Sequence, residues 1–478
     1  MSIIKYSLGG DYSEATGIEA LLSNGPVDLL GQNLLSVINK DGGFVLKDDL
    51  IESPLVTNAP IIDQVLLDSF NDGLYVDFSD ISGNLSLNGG ERGDVFLAGS
   101  GDDNVKGAGG NDVLQGGSGD DTLKGGGGSD VLEGGLGTND IQGGGGNDTV
   151  SYEHFASPAD IGLGRLFGVR VDLDTGVGSD DESVLVNDTL TDISNIRGSV
   201  YDDDLYGDAG GNVIEGGAGA DAIDGREGID TLSYAHSTQG VTVDLSLGSV
   251  SGGDADGDVI DGMENVVGST ANDDLTGDGG ANTLTGNGGI DTLNGMGGND
   301  RLVISGTPAD IDGGVGRDFL FVKGGGTVSL TEASFAGIEV VYVRNDAQLD
   351  MSAVNTGSRI VSQSTLGHAV DITGTSRSDL VAGATGGDRL FAGAGTDTFH
   401  FEAGFGRDNV YGFDASTDHI HVDIAGVDAF DIKLTSFHDD RDTVVTFRGV
   451  EGTSKIILHD VTVAELQAGP SDLFTFGA

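Results

Sequence analysis

The chain has 478 residues, with 78 acidic against 22 basic side chains, 85 glycines, no cysteine and no tryptophan. A formal charge of -56 excludes nucleic acid as a partner, because phosphates would be repelled, and the lack of cysteine excludes disulfides as what holds the fold together. Yet 37% of the residues are hydrophobic, too many for a solvated tail, so the carboxylates must be neutralised before the apolar residues collapse, and hard divalent cations suit clustered oxygen ligands.

Residues 1–88 carry no repeat and are read as an N-terminal non-repeat domain. The opening MSIIKYSLGGDYSEATG has one lysine, early acids and no sustained apolar core, unlike a secretory signal peptide. Apolar stretches at 18–22 and 61–70 predict short helices, and 73–87 predicts strands. No run of 18 apolar residues occurs anywhere, so no membrane-inserted helix is expected.

From 89 to 151 the chain divides without slippage into seven nonads: GGERGDVFL, AGSGDDNVK, GAGGNDVLQ, GGSGDDTLK, GGGGSDVLE, GGLGTNDIQ and GGGGNDTVS. Position six is Asp94, Asp103, Asp112, Asp121, Asp130, Asn139 and Asp148; position eight is Phe96, Val105, Leu114, Leu123, Leu132, Ile141 and Val150. Glycines at one, two and four permit a tight turn whose carbonyls can approach an ion. The aspartate adds a carboxylate beside them. Residues seven to nine form a short strand with position eight pointing inward, and two nonads make one coil.

A strand insert at 152–197 follows, then four nonads at 198–233 with Asp203, Asn212, Asp221 and Asp230 at position six. A second insert at 234–267 leads to a third block at 268–321, with Asp273, Asn282, Asp291, Asp300 and, in the separate nonad GGVGRDFLF, Asp318. The inserts are related: VRVDLDTG at 169–176 matches VTVDLSLG at 241–248, and DTLTDISNIRGS matches DVIDGMENVVGS. This is an internal duplication of an alternating strand segment plus four nonads, and the inserts are expected to extend the solenoid or cap its faces. Asn212 and Asn282, equivalent in the duplication, mark weakened or vacant metal positions. Residues 322–373 read as a β-rich segment that continues the coil without metal. The block at 374–400 carries Asp379, Asp388 and Asp397, and 401–478 reads as a β cap.

These nonads resemble the RTX (repeats-in-toxin, hemolysin-type) repeat, GGxGxDxUx with U a large apolar residue. The resemblance implies an all-β parallel β-roll or β-solenoid of calcium-binding nonapeptides with strand inserts and a C-terminal β cap. It implies many Ca2+ ions held between stacked turns by the sixteen position-six aspartates and glycine-turn carbonyls. One inward apolar residue per nonad is too thin a core to fold alone, so ion binding and folding should be coupled. The C-terminal end also resembles the cap of RTX exoproteins, where Asp472, Leu473, Phe474 and Phe476 match the family's tail, which implies export through type I secretion machinery.

No HExxH, GxSxG or phosphate-loop motif is present, so no catalytic residue is assigned and no enzyme is expected. His419 and His421 alternate on one strand and read as a surface feature; His154 and His236 hold equivalent places in the duplication and read as structural. The leading expectation is a secreted or cell-surface calcium-binding protein that self-associates in a surface layer or matrix. A calcium-dependent adhesin or module binding cell-surface polysaccharide is the alternative, with low aromatic content against sugar stacking, and a polysaccharide-modifying exoenzyme is the third reading.

Overall fold

In a computed structural model, residues 2–3, 39–40, 43–47, 62–66, 74–79, 82–155, 168–180, 185–450 and 454–477 are described. The chain divides into two compact units, Met1–Ser233 with Asp256–Met263, and Tyr234–Ala255 with Glu264–Ala478. Both are parallel β-solenoids. Each nonad bends at its glycines and extends over its last residues, so two nonads close one coil. Residues eighteen apart therefore stack: Leu114 pairs with Leu132 on one face, Val105 with Leu123 and Leu123 with Ile141 on the other.

In the first unit one face stacks Leu74–Asp77, Val95–Leu97, Val113–Ser118, Val131–Leu136, Thr149–Ser151, Asn195–Arg197, Val213–Glu215 and Thr231–Ser233 in parallel. The opposite face runs Ile62–Leu66, Leu85–Asn88, Asn104–Gly109, Thr122–Gly127 and Asp140–Gly145. Ile62–Leu66 lies inside the stretch read as a helix. Its β-branched Ile62 and Val65 suit a strand, and Leu85–Asn88 offers it a backbone to pair with. The stretch at 18–22 lies outside the described residues.

The insert after the first block enters this second face. Asn187–Thr191 lies parallel on Asp140–Gly145, Val177–Asp180 is antiparallel to it, and Val169–Asp172 is antiparallel again before Asp204–Tyr206 resumes the coil. One face thus gains a meander where the other stacks Thr149–Ser151 directly on Asn195–Arg197. The second unit opens on the duplicated hairpin, Thr242–Asp244 with Ser249–Ser251, and Asp274–Thr276 stacks on its first strand.

Position eight forms the core: Leu114, Leu123, Leu132 and Ile141 are wholly buried. The turns between Phe319 and Gln363 lack most nonad glycines and solve the thin-core problem differently. Their strands are longer and turn two apolar residues inward, as in Val328 with Leu330, Val341 with Val343, and Leu349 with Met351. Doubling the buried apolar area per strand replaces what an ion supplies elsewhere. The second unit ends with the antiparallel strands Ile432–Phe437, Asp442–Phe447 and Lys455–Leu458, then the short helix Val463–Ala468, capped by Thr462 and Glu465. Phe474–Phe476 returns as a last parallel strand beside His419–Asp423, and Leu473 is buried under it.

Because each coil contributes so little core, removing one inward side chain costs much of its cohesion. Leu123→Ala is expected to lower stability by about 2–5 kcal/mol in saturating calcium, read from urea unfolding. A loss under about 0.5 kcal/mol, the level of a surface change, would show that the apolar stack does not hold these coils together.

Candidate metal centre

All sixteen position-six aspartates are buried in the turns between the two faces. Stacking places each one over the equivalent residue one coil away, and one carboxylate oxygen is spent on this stack. The Asp94 N–H donates to Asp112 Oδ1 at 2.7 Å, that of Asp112 to Asp130 at 2.8 Å, and that of Asp130 to Asp148 at 2.9 Å. The other line of turns runs from Asp103 to Asp121 at 2.8 Å and from Asp121 to Asn139 at 2.9 Å. In the second unit Asp273 donates to Asp291 at 3.1 Å, Asp300 to Asp318 at 2.8 Å, and Asp379 to Asp397 at 2.8 Å. The backbone ladder of a solenoid turn is thereby closed by side chains.

The second oxygen separates the aspartates into groups. Oδ2 of Asp103, Asp112, Asp121, Asp130, Asp148, Asp221, Asp273, Asp300 and Asp318 is buried without a hydrogen-bond donor among the described residues. A buried carboxylate oxygen in that state is costly unless a cation faces it. By contrast, Asp94 Oδ2 accepts from the Gly90 N–H at 2.9 Å, and Asp388 Oδ2 from Ser364 Oγ at 3.0 Å. Asp203 takes the Ser199 N–H and hydroxyl, and Asp379 those of Thr375. Asp230, Asp291 and Asp397 are buried in the same row.

Position-one glycines complete the oxygen-lined space. A Cβ built on Gly116 would overlap both Asp121 Oδ2 and the Gly134 carbonyl of the next coil; one on Gly107 would overlap Asp112 Oδ2 and the Gly125 carbonyl. The open oxygens and these carbonyls therefore converge where only glycine leaves room. Carboxylate and carbonyl oxygens together suit a hard cation of calcium's kind.

Burial raises these acids. Desolvation lifts Asp112 and Asp121 to about 7 and Asp221 to about 8, against backbone hydrogen bonds that pull the other way. In the absence of a cation, a proton would have to take its place.

Neutral asparagine needs neither. Asn212 Oδ1 accepts from the Asp208 N–H at 2.8 Å while Nδ2 donates to the Ser194 carbonyl at 2.8 Å. Asn282 repeats this with Asp278 and the Glu264 carbonyl. Asn139 Nδ2 donates to Asp188 Oδ1 at 2.8 Å.

Among the described residues, five acids outside the nonad count are seen to perform the position-six task. Asp188, Asp258, Glu339, Asp408 and Asp418 accept from the backbone N–H of Asn139, Asp221, Asp318, Asp388 and Asp397. Asp408 is fully buried, is raised to about 8 by desolvation, and has an unpartnered Oδ2. Their shared sequence signal is an acid two residues before an inward aliphatic residue: Leu190, Ile260, Val341, Val410 and Ile420. Phe401 and Glu402 throw AGFGRDNVY out of phase, which hides Asp408 from a strict nine-residue count.

The histidines stand apart from this row. His421 Nδ1 lies 2.8 Å from Thr475 Oγ1, and His419 Nε2 lies 3.7 Å from Asp472. His154 Nδ1 is 2.8 Å from Glu133 Oε2, and Glu153 joins the pair, itself held by Arg197 at 2.9 Å.

The family model for the RTX calcium-binding nonapeptide repeat (four copies) matches residues 88–123, 115–150, 197–232, 267–302 and 373–407. Among solved structures, the chain is similar to an extracellular lipase from Serratia marcescens at 16% identity and a TM-score of 0.15. That comparison covers 92% of this chain and 45% of the lipase chain, so this chain spans less than half the lipase's length. No curated protein matches the chain.

Proposed function

We propose that this chain, which carries RTX calcium-binding nonapeptide repeats, is a secreted, non-catalytic structural protein that folds on calcium outside the cell and assembles at the cell surface or in extracellular matrix. The observation that carries the reading is the recurring unpartnered Oδ2 facing glycine carbonyls, coil after coil, in both units. Asp103, Asp112, Asp121, Asp130, Asp148, Asp221, Asp273, Asp300, Asp318 and Asp408 would hold the ions. Calcium, when bound, supplies the positive charge that lets these buried acids stay ionised. Asp94, Asp203, Asp379 and Asp388 already have donors on Oδ2 and serve the backbone ladder first.

Export follows from the same physics. A chain of charge -56 with no ion to neutralise it stays expanded where calcium is scarce, which suits passage through a type I secretion channel. Outside, calcium converts it into stiff stacked coils. No helix among the described residues is long and apolar enough to cross a membrane.

Electron microscopy of the purified full chain at millimolar calcium tests the assembly role. Filaments or lattices that dissolve on chelation are expected. Single particles only, at high protein concentration and saturating calcium, would overturn it.

A further inference from the structure

The second unit gathers positive charge on one sheet face. Leu320 and Val322 point into the core and are wholly buried, so alternation turns Phe319 and Phe321 to the opposite face of the strand Phe319–Val322, where Phe321 is itself covered. Phe321 stacks on Tyr342 of the neighbouring strand, with centroids 4.8 Å apart and planes at 17°. Rings stacked along the strand order spend their faces on each other. Arg301 lies over Phe321 at 3.8 Å, Arg344 lies 5.1 Å from the same centroid, and Arg317 sits over Phe319 at 5.4 Å. The aromatic ladder is thus a rigid support for guanidinium groups and not a platform for a sugar ring.

These cations have no carboxylate of their own. Arg170, Arg197, Arg226 and Arg389 each pair with an acid, whereas Arg301, Arg317, Lys323 and Arg344 have no ion pair among the described residues. Burial, then the Arg344 charge, lowers Arg301; burial, then Arg344 and Arg301, lowers Lys323. Like charges are held together here at a cost, on a chain that is otherwise strongly acidic.

An acidic surface with the same spacing exists on the chain itself. The exposed acids Asp102 and Asp120 stand one coil apart at position five, and through Oδ1 they accept the backbone N–H of Asp120 and Thr138. Lys323, just past the strand Phe319–Val322, and Arg344, the last residue of Val340–Arg344, also lie along adjacent stacked strands, paired through Val322 and Val343. Both rows step by the strand spacing of about 4.8 Å, so carboxylates of one copy fall in register with cations of another. At physiological salt, screening over about 8 Å leaves such local pairs to outweigh the repulsion of net charge.

We propose that the Arg301–Lys323–Arg344 face is a docking surface for the Asp102–Asp120 row of a second copy of this chain. The contact pairs two different patches of the chain, a cationic one on one copy with an acidic one on the other. This rests on the self-assembly reading above.

The test compares wild type with R301Q/K323Q/R344Q and with D102N/D120N in calcium, by sedimentation and electron microscopy. Glutamine keeps part of the apolar stem, and asparagine keeps the Oδ1 acceptor. Circular dichroism and the calcium midpoint of folding should match wild type in both variants. Each variant should raise the protein concentration needed for assembly by about tenfold or more, and added sodium chloride should do the same to wild type. Wild-type assembly that either variant retains at an unchanged threshold would overturn the docking surface and leave self-assembly standing. A wild type that never assembles would overturn both. Loss of retention on a uronic-acid polymer gel by R301Q/K323Q/R344Q, with assembly unchanged, would assign the face to an anionic glycan and overturn the second-copy contact.

Discussion

Chelating calcium from the full chain at neutral pH should abolish most of its far-ultraviolet β signal, and restoring calcium should bring it back. Nine position-six carboxylates and Asp408 hold a buried oxygen with no donor among the described residues. An ionised group left so costs several kcal/mol, and a folded domain has only about 5–15 kcal/mol to spare. Ten such groups cannot remain ionised, unpaired and folded together. The alternative to an ion is a proton, which sets the sign of the pH dependence. Asp112 and Asp121 are lifted to about 7, and Asp221 and Asp408 to about 8, in each case mainly by desolvation. The unfolded chain releases those protons near pH 4. Stability of the metal-free fold is therefore fullest below about pH 4 and drains away as pH rises through about 7–8. Chelated protein should regain β signal on acidification, and calcium binding near pH 7 should release protons, measurable in buffers of different ionisation enthalpy. An unchanged spectrum after thorough chelation at pH 8 would refute the coupling.

The second large effect is expected at Asp121, where ladder and ion can be told apart. Its Oδ1 accepts the Asp103 N–H at 2.8 Å, while Oδ2 faces the space beside Gly116 and the Gly134 carbonyl. Asp121→Asn keeps an oxygen for the N–H and loses the charge. Asp121→Ala loses both and strands a buried donor, at about 1–3 kcal/mol beyond the asparagine variant. Both should bind less calcium than wild type by calorimetry, while urea unfolding at saturating calcium ranks Asn above Ala. Asn139, one coil on in the same stack, already shows how an amide sits there, donating Nδ2 to Asp188. Undiminished calcium stoichiometry in Asp121→Asn would remove Asp121 from the ligands.

Much of this architecture is legible in the sequence because a nonad is a local object. Glycine, acid and aliphatic residue recur within nine positions, so the turn, the strand and the inward side chain of each coil follow from neighbours alone. Leu114, Leu123 and Leu132 are read as core from spacing and are wholly buried. The sequence likewise marks Asn212 and Asn282 as different from their neighbours, and the amide contacts give the reason. The helix expected over 61–70 failed because an apolar run of that length has no decisive period, and the adjacent strand decides it.

The repeat is therefore readable along the chain: its period, its inward residue, its acid and its need for a counter-ion. Tertiary structure decided which oxygen of each acid is left for that ion, because donors such as Ser364 approach Asp388 from 24 residues away and no local rule predicts them. It decided that Asp188, Asp258, Glu339, Asp408 and Asp418 close the ladder, because the coil counts position in space and not phase along the chain. It also decided that Arg301, Lys323 and Arg344, scattered in sequence, share one face, because parallel stacking aligns strands that lie some twenty residues apart.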